Sequence, residues 1–267
     1  MKNNKLIGQG RTAEIYSYGD DKIIKLFKAG IGRDTVSLEY EVSKVIKKYG
    51  VPSPAIFDLI EVEDRLGIIY EYVNGDSMLN FILKKPWTII QEGKRLAELH
   101  FQIHSFTSKK LPSQRQELMG DIRAAGLLSD DQKDSIITYL EGLDDGEIIC
   151  HGDFHPDNVL ITAKGPIILD WLTCKRGNPV ADLARTSLLL QKGAPPPGTS
   201  GFMKGIIKFI RHLFHYSYLK QYMSLADISE EELERWKLPV AAARLSENLP
   251  ETEKLALLKI IKNSRRD

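Results

Sequence analysis

Apolar and polar residues alternate through the first 28 positions. Lys5-Leu6-Ile7, Glu14-Ile15-Tyr16-Ser17-Tyr18 and Lys22-Ile23-Ile24-Lys25-Leu26-Phe27 read as paired strands, because a period of two sends successive side chains to opposite faces of a sheet. Gly19-Asp20-Asp21 is a hairpin signal between the last two. The period then changes. Thr35 to Lys48 reads as a helix with Val42, Val45, Ile46 and Tyr49 on one face, and Gly50-Val51-Pro52-Ser53-Pro54 stops it. Ile56 to Val62 and Leu66 to Tyr72 return to the strand pattern, joined by a charged turn, and Asn74-Gly75 breaks it.

Helical spacing dominates from there. Trp87 to Phe106 is a long amphipathic stretch. Ser129 is placed to cap a helix running to Leu143. Val180 to Gln191 is helical, Lys192 to Gly198 is a Pro- and Gly-rich loop, and the remainder is helical again. Within it, Glu230 to Glu234 opens one short helix and Glu251 to Ser264 forms the last. This order predicts an α+β fold with a small antiparallel-sheet lobe carrying one helix, residues 1–74, and a larger, mainly helical lobe, residues 75–267. A hinge falls near Glu71 to Asn74, and ligands commonly sit between such lobes.

The 267 residues are 42% hydrophobic, enough for a sizeable core in one domain or two lobes. A net charge of +1, with acids and bases spread along the chain, argues against nucleic acid or another polyanion as partner. The opening MKNNKLIGQG has no apolar signal region, and Ile206 to Tyr222 is interrupted by Lys208, Arg211, His212, His215 and Lys220, so no membrane partner is expected. Two cysteines, Cys150 and Cys174, make no disulfide framework and read as buried small hydrophobes. A cytoplasmic protein is expected.

The strongest chemical signal is His151-Gly152-Asp153-Phe154-His155-Pro156-Asp157-Asn158, followed by Ile167-Ile168-Leu169-Asp170-Trp171. It supplies a carboxylate, a carboxamide five residues on, and a second carboxylate closing an apolar run. Phosphoryl transfer uses such a set: one carboxylate orients the attacking hydroxyl and takes its proton, while the amide oxygen and the other carboxylate hold metal. Val159-Leu160-Ile161 and the second segment read as a hairpin turned at Lys164-Gly165, which brings Asn158 and Asp170 together at its open end. Asp153 is the expected base, and Asn158 and Asp170 are hard oxygen ligands suited to Mg2+.

Gly8-Gln9-Gly10-Arg11-Thr12-Ala13 lies between two strands. Gly8 and Gly10 would let backbone N–H groups approach phosphates, though most such glycine pairs are only turns. Lys25 stands in an apolar strand, where it is either the outward residue of an alternating edge or a functional group, and the functional reading needs an anionic partner. Glu39 shares a helix face with Val42 and Ile46, and Glu41 is the alternative. Two unit charges about 4 Å apart attract by about 4 kcal/mol at an effective dielectric of ~20, before desolvation. His151, Asp153 and His155 also permit a metal-dependent phosphohydrolase. His100 and His104 are spaced i, i+4, but Phe101 stands where a zinc HExxH helix needs its Glu, and packing or capping is the expected role.

Together these residues resemble the aminoglycoside phosphotransferase and choline kinase-like group of small-molecule kinases, whose fold is similar to that of protein kinases. HGDFHPDN resembles that group's catalytic loop and ILDW its metal-binding segment, with Trp171 where protein kinases carry phenylalanine. Asn178-Pro179-Val180-Ala181-Asp182-Leu183-Ala184 resembles the segment that follows, where the Asp is typically structural. The resemblance runs from about Leu6 to Ala184 and implies a bilobal protein-kinase-like fold using ATP (or GTP) and Mg2+. Asp153 would be the base, Asn158 and Asp170 the metal ligands, Lys25 paired to Glu39 the contact to the α/β-phosphates, and the backbone of Glu71 to Val73 the contact to adenine. A small-molecule hydroxyl acceptor is implied: an amino alcohol, sugar, amino acid or aminoglycoside. The basic run Leu172-Thr173-Cys174-Lys175-Arg176 argues against a polycation. No Ala-Pro-Glu motif follows Asp170, which argues against a protein-kinase substrate platform. A nucleotide-binding regulatory module without transfer activity is the alternative.

Overall fold

The N-terminal alternation becomes sheet and the longer periods become helix. A computed structural model describes residues 5–10, 12–192 and 200–264. Along the chain the elements are β1 (Leu6–Gln9), β2 (Ala13–Ser17), β3 (Lys22–Phe27), α1 (Arg33–Lys48), β4 (Ile56–Val62), β5 (Arg65–Glu71) and β6 (Asp76–Ser77). There follow α2 (Met78–Lys84), α3 (Ile89–Ile103), α4 (Gln114–Ala124), α5 (Asp130–Glu141), β7 (Ile148–Cys150), β8 (Val159–Thr162), β9 (Gly165–Ile168) and β10 (Lys175–Gly177). The last four are α6 (Pro179–Lys192), α7 (Gly201–Ala226), α8 (Glu230–Arg244) and α9 (Glu251–Asn263). The expected loop from Lys192 to Gly198 lies, from residue 193 on, outside the described residues.

The chain forms two compact units: one runs to Phe81 and takes in Pro156–Thr173, the other comprises Ile82–His155 and Cys174 onward. The expected division after residue 74 differs from this for a physical reason. β8 and β9 pair with each other and with β6, in the order β6-β8-β9, so the strand after the expected hinge is held by the later hairpin. The Ile168 N–H also bonds the Pro52 carbonyl at 2.8 Å, and the turn Trp171–Thr173 packs on α1.

In the first unit the sheet order is β1-β2-β3-β5-β4, antiparallel throughout. Ala13, Phe27, Val36 and Ile68 form one buried cluster between sheet and α1. α1 also buries Val42 and Ile46 of the face that the spacing predicted, and with them Glu39, whereas Val45 is half-buried and Tyr49, just past the helix, is exposed.

In the second unit α3 lies against α7. They approach so closely at Gly93 that a Cβ there would stand 2.9 Å from the Phe214 carbonyl oxygen and nearer still to the Ser217 hydroxyl. α8 packs on α6, α4 and α9. The short helix expected at Glu230 is in fact fifteen residues long and runs through Pro239. Ser229 and Glu232 cap it reciprocally, and buried Ala241, Ala242 and Ala243 carry it past the proline into contact with its neighbours. Ser129 caps α5 in the same way. β7 pairs with β10, Cys150 opposite Lys175, and both cysteines are free and buried. Among the described residues no helix is long and apolar enough to cross a membrane.

Candidate active site

The first unit gathers Lys25, Glu39, Asn158 and Asp170. Lys25 sits mid-strand in β3, and its Nζ bonds Glu39 Oε1 at 2.6 Å and Asp170 Oδ1 at 3.1 Å. Glu39 is 1% exposed, and the Tyr70 hydroxyl donates to the same Oε1 at 3.2 Å. Glu41, the alternative partner, is exposed and bonds Lys44 instead. Burial alone would lower the Lys25 pKa, but the carboxylates of Glu39 and Asp170 outweigh it and hold the amine above its ordinary value.

Asp170 follows β9 with φ of 60°, a left-handed backbone that few non-glycine residues adopt and one that recurs at functional positions. At the open end of the β8–β9 hairpin the Leu169 N–H bonds the Asn158 carbonyl at 2.8 Å, so Asn158 is linked directly to the residue before Asp170. Trp171 is buried, its indole N–H bonded to the Ile168 carbonyl at 3.1 Å. The Asp170 side chain is 46% exposed. An amide oxygen and an accessible carboxylate with no thiol among them suit a hard divalent cation such as Mg2+.

Gly8 and Gly10 bracket the first turn, where the Gly10 N–H bonds the Ala13 carbonyl at 2.8 Å. Neither has a positive φ, and a Cβ at either would meet only ordinary contacts, 3.9 Å at Gly8 and 3.6 Å at Gly10. Folding of this turn therefore does not demand glycine at either position. Arg11 lies outside the described residues. Glu71 ends β5, with its N–H on the Ala55 carbonyl and its carboxylate accepting the Ala55 N–H. Val73 follows, half-buried.

Asp153 belongs to the second unit. Burial would raise its pKa, but His155, His151 and Arg185 bring it down to about 2. The His155 Nε2 lies 3.5 Å from its carboxylate. The backbone N–H of Asp153 donates to His151 Nδ1 at 3.2 Å, which occupies a nitrogen that a metal-hydrolase reading would need. The basic run near Lys175 offers less free charge than the sequence suggests. Lys175 is 8% exposed and pairs with Glu117 at 3.2 Å.

Asp182 on α6 holds the loop before Asp153, its carboxylate accepting the backbone N–H groups of His151 at 2.6 Å and Gly152 at 2.9 Å. Arg185, one helical turn on, donates from Nε to the Gly152 carbonyl and from Nη1 to Glu247 at 2.8 Å. Sequence reasoning did not single out Arg185 or Glu247. The available signal was the i, i+3 spacing of Arg185 from Asp182, which puts both on one helix face.

A family model described as "Phosphotransferase enzyme family" matches residues 4–205. No curated protein matches the chain. Solved structures do. An amicoumacin kinase in complex with AMP-PNP, Ca2+ and Ami is 14% identical, with 99% of this chain and 88% of that one covered and a TM-score of 0.64. An aminoglycoside-3'-phosphotransferase of type VIII is 19% identical over 90% of this chain and 93% of its own, TM-score 0.63. A choline/ethanolamine kinase family protein from Mesorhizobium loti is 14% identical over 98% and 87%, TM-score 0.57. At these identities the likeness is one of fold.

Proposed function

The chain belongs to the phosphotransferase enzyme family, and we propose that it is a kinase that moves the γ-phosphate of ATP (or GTP) to a hydroxyl of a small molecule. The observation that carries this reading is Lys25, bonded at once to buried Glu39 and to Asp170. A lysine fixed by a buried carboxylate, beside a second carboxylate in a strained backbone, is what binding of nucleotide phosphates requires.

In this reading Lys25 contacts the α/β-phosphates, and Glu39 sets where its ammonium points. Gly8 and Gly10, which carry no side chain, let the phosphates approach the backbone of the first turn. The backbone of Glu71 to Val73 meets the adenine. Asn158 and Asp170 would hold magnesium, which when bound offsets the negative charge of the phosphates. Asp153 orients the acceptor hydroxyl and accepts its proton late. A low pKa suits that role, since the loose transition state asks little of a base. Arg185 and Asp182 fix the backbone on which Asp153 rides.

The acceptor is an amino alcohol, a sugar, an amino acid or an aminoglycoside. Pairing with Glu117 offsets the charge of Lys175 and leaves that of Arg176, which weakens the argument against a cationic acceptor, so that class stays open. A nucleotide-consumption screen with Mg2+ across these four classes tests the proposal. Turnover above the slow background hydrolysis with at least one acceptor supports it. None with any acceptor, despite saturable nucleotide binding, would point to a silent nucleotide-binding module.

A further inference from the structure

His100 on α3 and His104, which caps the C-terminus of that helix, both meet Asp182, and Tyr218 and Tyr222, one turn apart on α7, meet the two histidines. The Asp182 oxygen that takes the His151 N–H also meets His100 Nε2 at 3.0 Å and His104 Nε2 at 3.2 Å. The other nitrogen of each imidazole faces a phenol: His100 Nδ1 meets the Tyr218 hydroxyl at 2.6 Å and His104 Nδ1 the Tyr222 hydroxyl at 2.5 Å. Asp182, His100, Tyr218 and Tyr222 are at most 1% exposed.

With neutral rings, the donors and acceptors close in only one way. An ionised carboxylate only accepts, so each Nε2 carries the hydrogen. A neutral imidazole then presents a bare Nδ1, which accepts the tyrosine O–H. Burial, and after it the neighbouring His104, lower the His100 pKa to about 4, so that ring is neutral near pH 7. The trio His100, His104 and Asp182 is compact enough to suggest a metal site, with ligand atoms within 4.8 Å of one another. Yet a cation there would displace both Nε2 hydrogens and crowd a backbone N–H that points at the same carboxylate oxygen. Hydrogen bonding satisfies every group without one.

The cluster brackets Asp153. The residue before it, Gly152, has a φ of 78°, which glycine takes easily, and both its N–H and its C=O are held from α6. The residue after it, Phe154, is fully buried and stacks on His100 with ring centroids 4.5 Å apart. We propose that the pairs Tyr218–His100 and Tyr222–His104 are positioning residues for phosphoryl transfer: by fixing both imidazole tautomers they aim the Asp182 carboxylate, which fixes the backbone that presents Asp153. As a statement about catalysis this rests on the kinase reading. As a statement about the loop it does not.

The test uses the full-length chain with three variants. His104→Gln keeps an N–H near the position of Nε2, His104→Leu keeps volume without a donor, and Tyr222→Phe removes one hydroxyl. Measured are kcat, KM for nucleotide and acceptor, Tm, and the exchange rate of the Gly152 amide by NMR. The Leu variant is expected to lose kcat about tenfold or more, a barrier change that one misaimed buried group can cause. KM for nucleotide stays within about twofold, and the Gly152 amide exchanges faster. The Gln variant recovers most of kcat, and Tyr222→Phe falls between them. If the Leu variant does not fold, Tyr222→Phe against wild type carries the comparison. Equal kcat for Gln and Leu variants, unchanged Gly152 exchange, or a hydrogen found on Nδ1 of either ring at pH 7 would overturn the proposal. Should the wild type phosphorylate nothing, the kinase reading falls, and the exchange and tautomer measurements alone decide the rest.

Discussion

Lys25 and Asp170 stand 145 positions apart in the sequence, and their charged atoms meet at 3.1 Å. One is fixed in the middle of a five-stranded sheet, the other at the end of a hairpin that returns to the same compact unit. Lys25 is also 2.6 Å from Glu39, so a single ammonium ties together sheet, helix and hairpin.

Replacing Asp153 by Asn should lower kcat about a hundredfold or more while leaving fold and nucleotide affinity intact. Coupled ADP release and calorimetric nucleotide titration check the two halves of this. A carboxyl with a pKa of about 2 is ionised throughout the working range. No acid limb belonging to this group is therefore expected in kcat/KM above about pH 4, and a limb abolished by Asp153→Asn would contradict its assigned pKa.

Asp170→Ala should uncouple nucleotide binding from Mg2+. Calorimetry of the wild type with and without the ion should show a clear affinity difference, and the variant should show little. Coupling retained in the variant would remove Asp170 from the metal site.

Lys25→Met leaves Glu39 buried without its cation. Breaking such a pair should destabilise the fold by on the order of 3 kcal/mol, whereas Lys25→Met with Glu39→Met, an apolar pair of similar volume, should regain most of that. Activity should stay lost in both if the ammonium contacts the nucleotide phosphates as proposed. Denaturant midpoints and turnover, read side by side, separate the structural share of the ion pair from the functional one.

His100 makes stability depend on pH. Its ordinary pKa of 6.5 falls to about 4 in the folded chain. Between those values the unfolded chain binds a proton that the folded one refuses. This contribution is thus fully present above pH 6.5 and lost as the pH falls to about 4, an effect of about 3 kcal/mol. His215, also held near 4 by burial, acts in the same direction. Tm measured from pH 7 to 4 should drop more steeply for the wild type than for His100→Gln, and parallel curves would contradict this.

Gly93→Ala should destabilise the second unit by about 1–3 kcal/mol, since the added methyl meets the Ser217 hydroxyl, which can rotate away, and also the Phe214 backbone carbonyl, which cannot. A Tm unchanged within error would mean that the two helices can part at little cost.

The early strands, α1 and the open-ended hairpin were legible because their periods are regular and their turns carry glycine, asparagine or proline. Glu39 could be preferred to Glu41 for the same reason, as only one of them shares a face with Val42 and Ile46. The loop sequence around Asp153 was legible by resemblance. What surrounds it was not. Arg185 and Glu247 are 62 positions apart, and the tyrosines that meet His100 and His104 come from a helix 118 positions later. No local period records such pairings. α8 runs longer than the short helix expected at Glu230 to Glu234, because burial of the alanines after Pro239 favours continuation through the proline. The division near residue 74 missed because strand pairing between β6 and β8 joins segments more than eighty residues apart.

The first unit is assembled from two separate lengths of chain, and this limits how the protein can be taken apart. A fragment ending near Phe81 would keep Lys25 and Glu39 but forfeit Asn158 and Asp170, and its β6 would lose the edge it pairs with. No single proteolytic nick or stop codon can release that unit whole. Anyone wishing to study it alone would have to graft Pro156–Thr173 back by a designed junction.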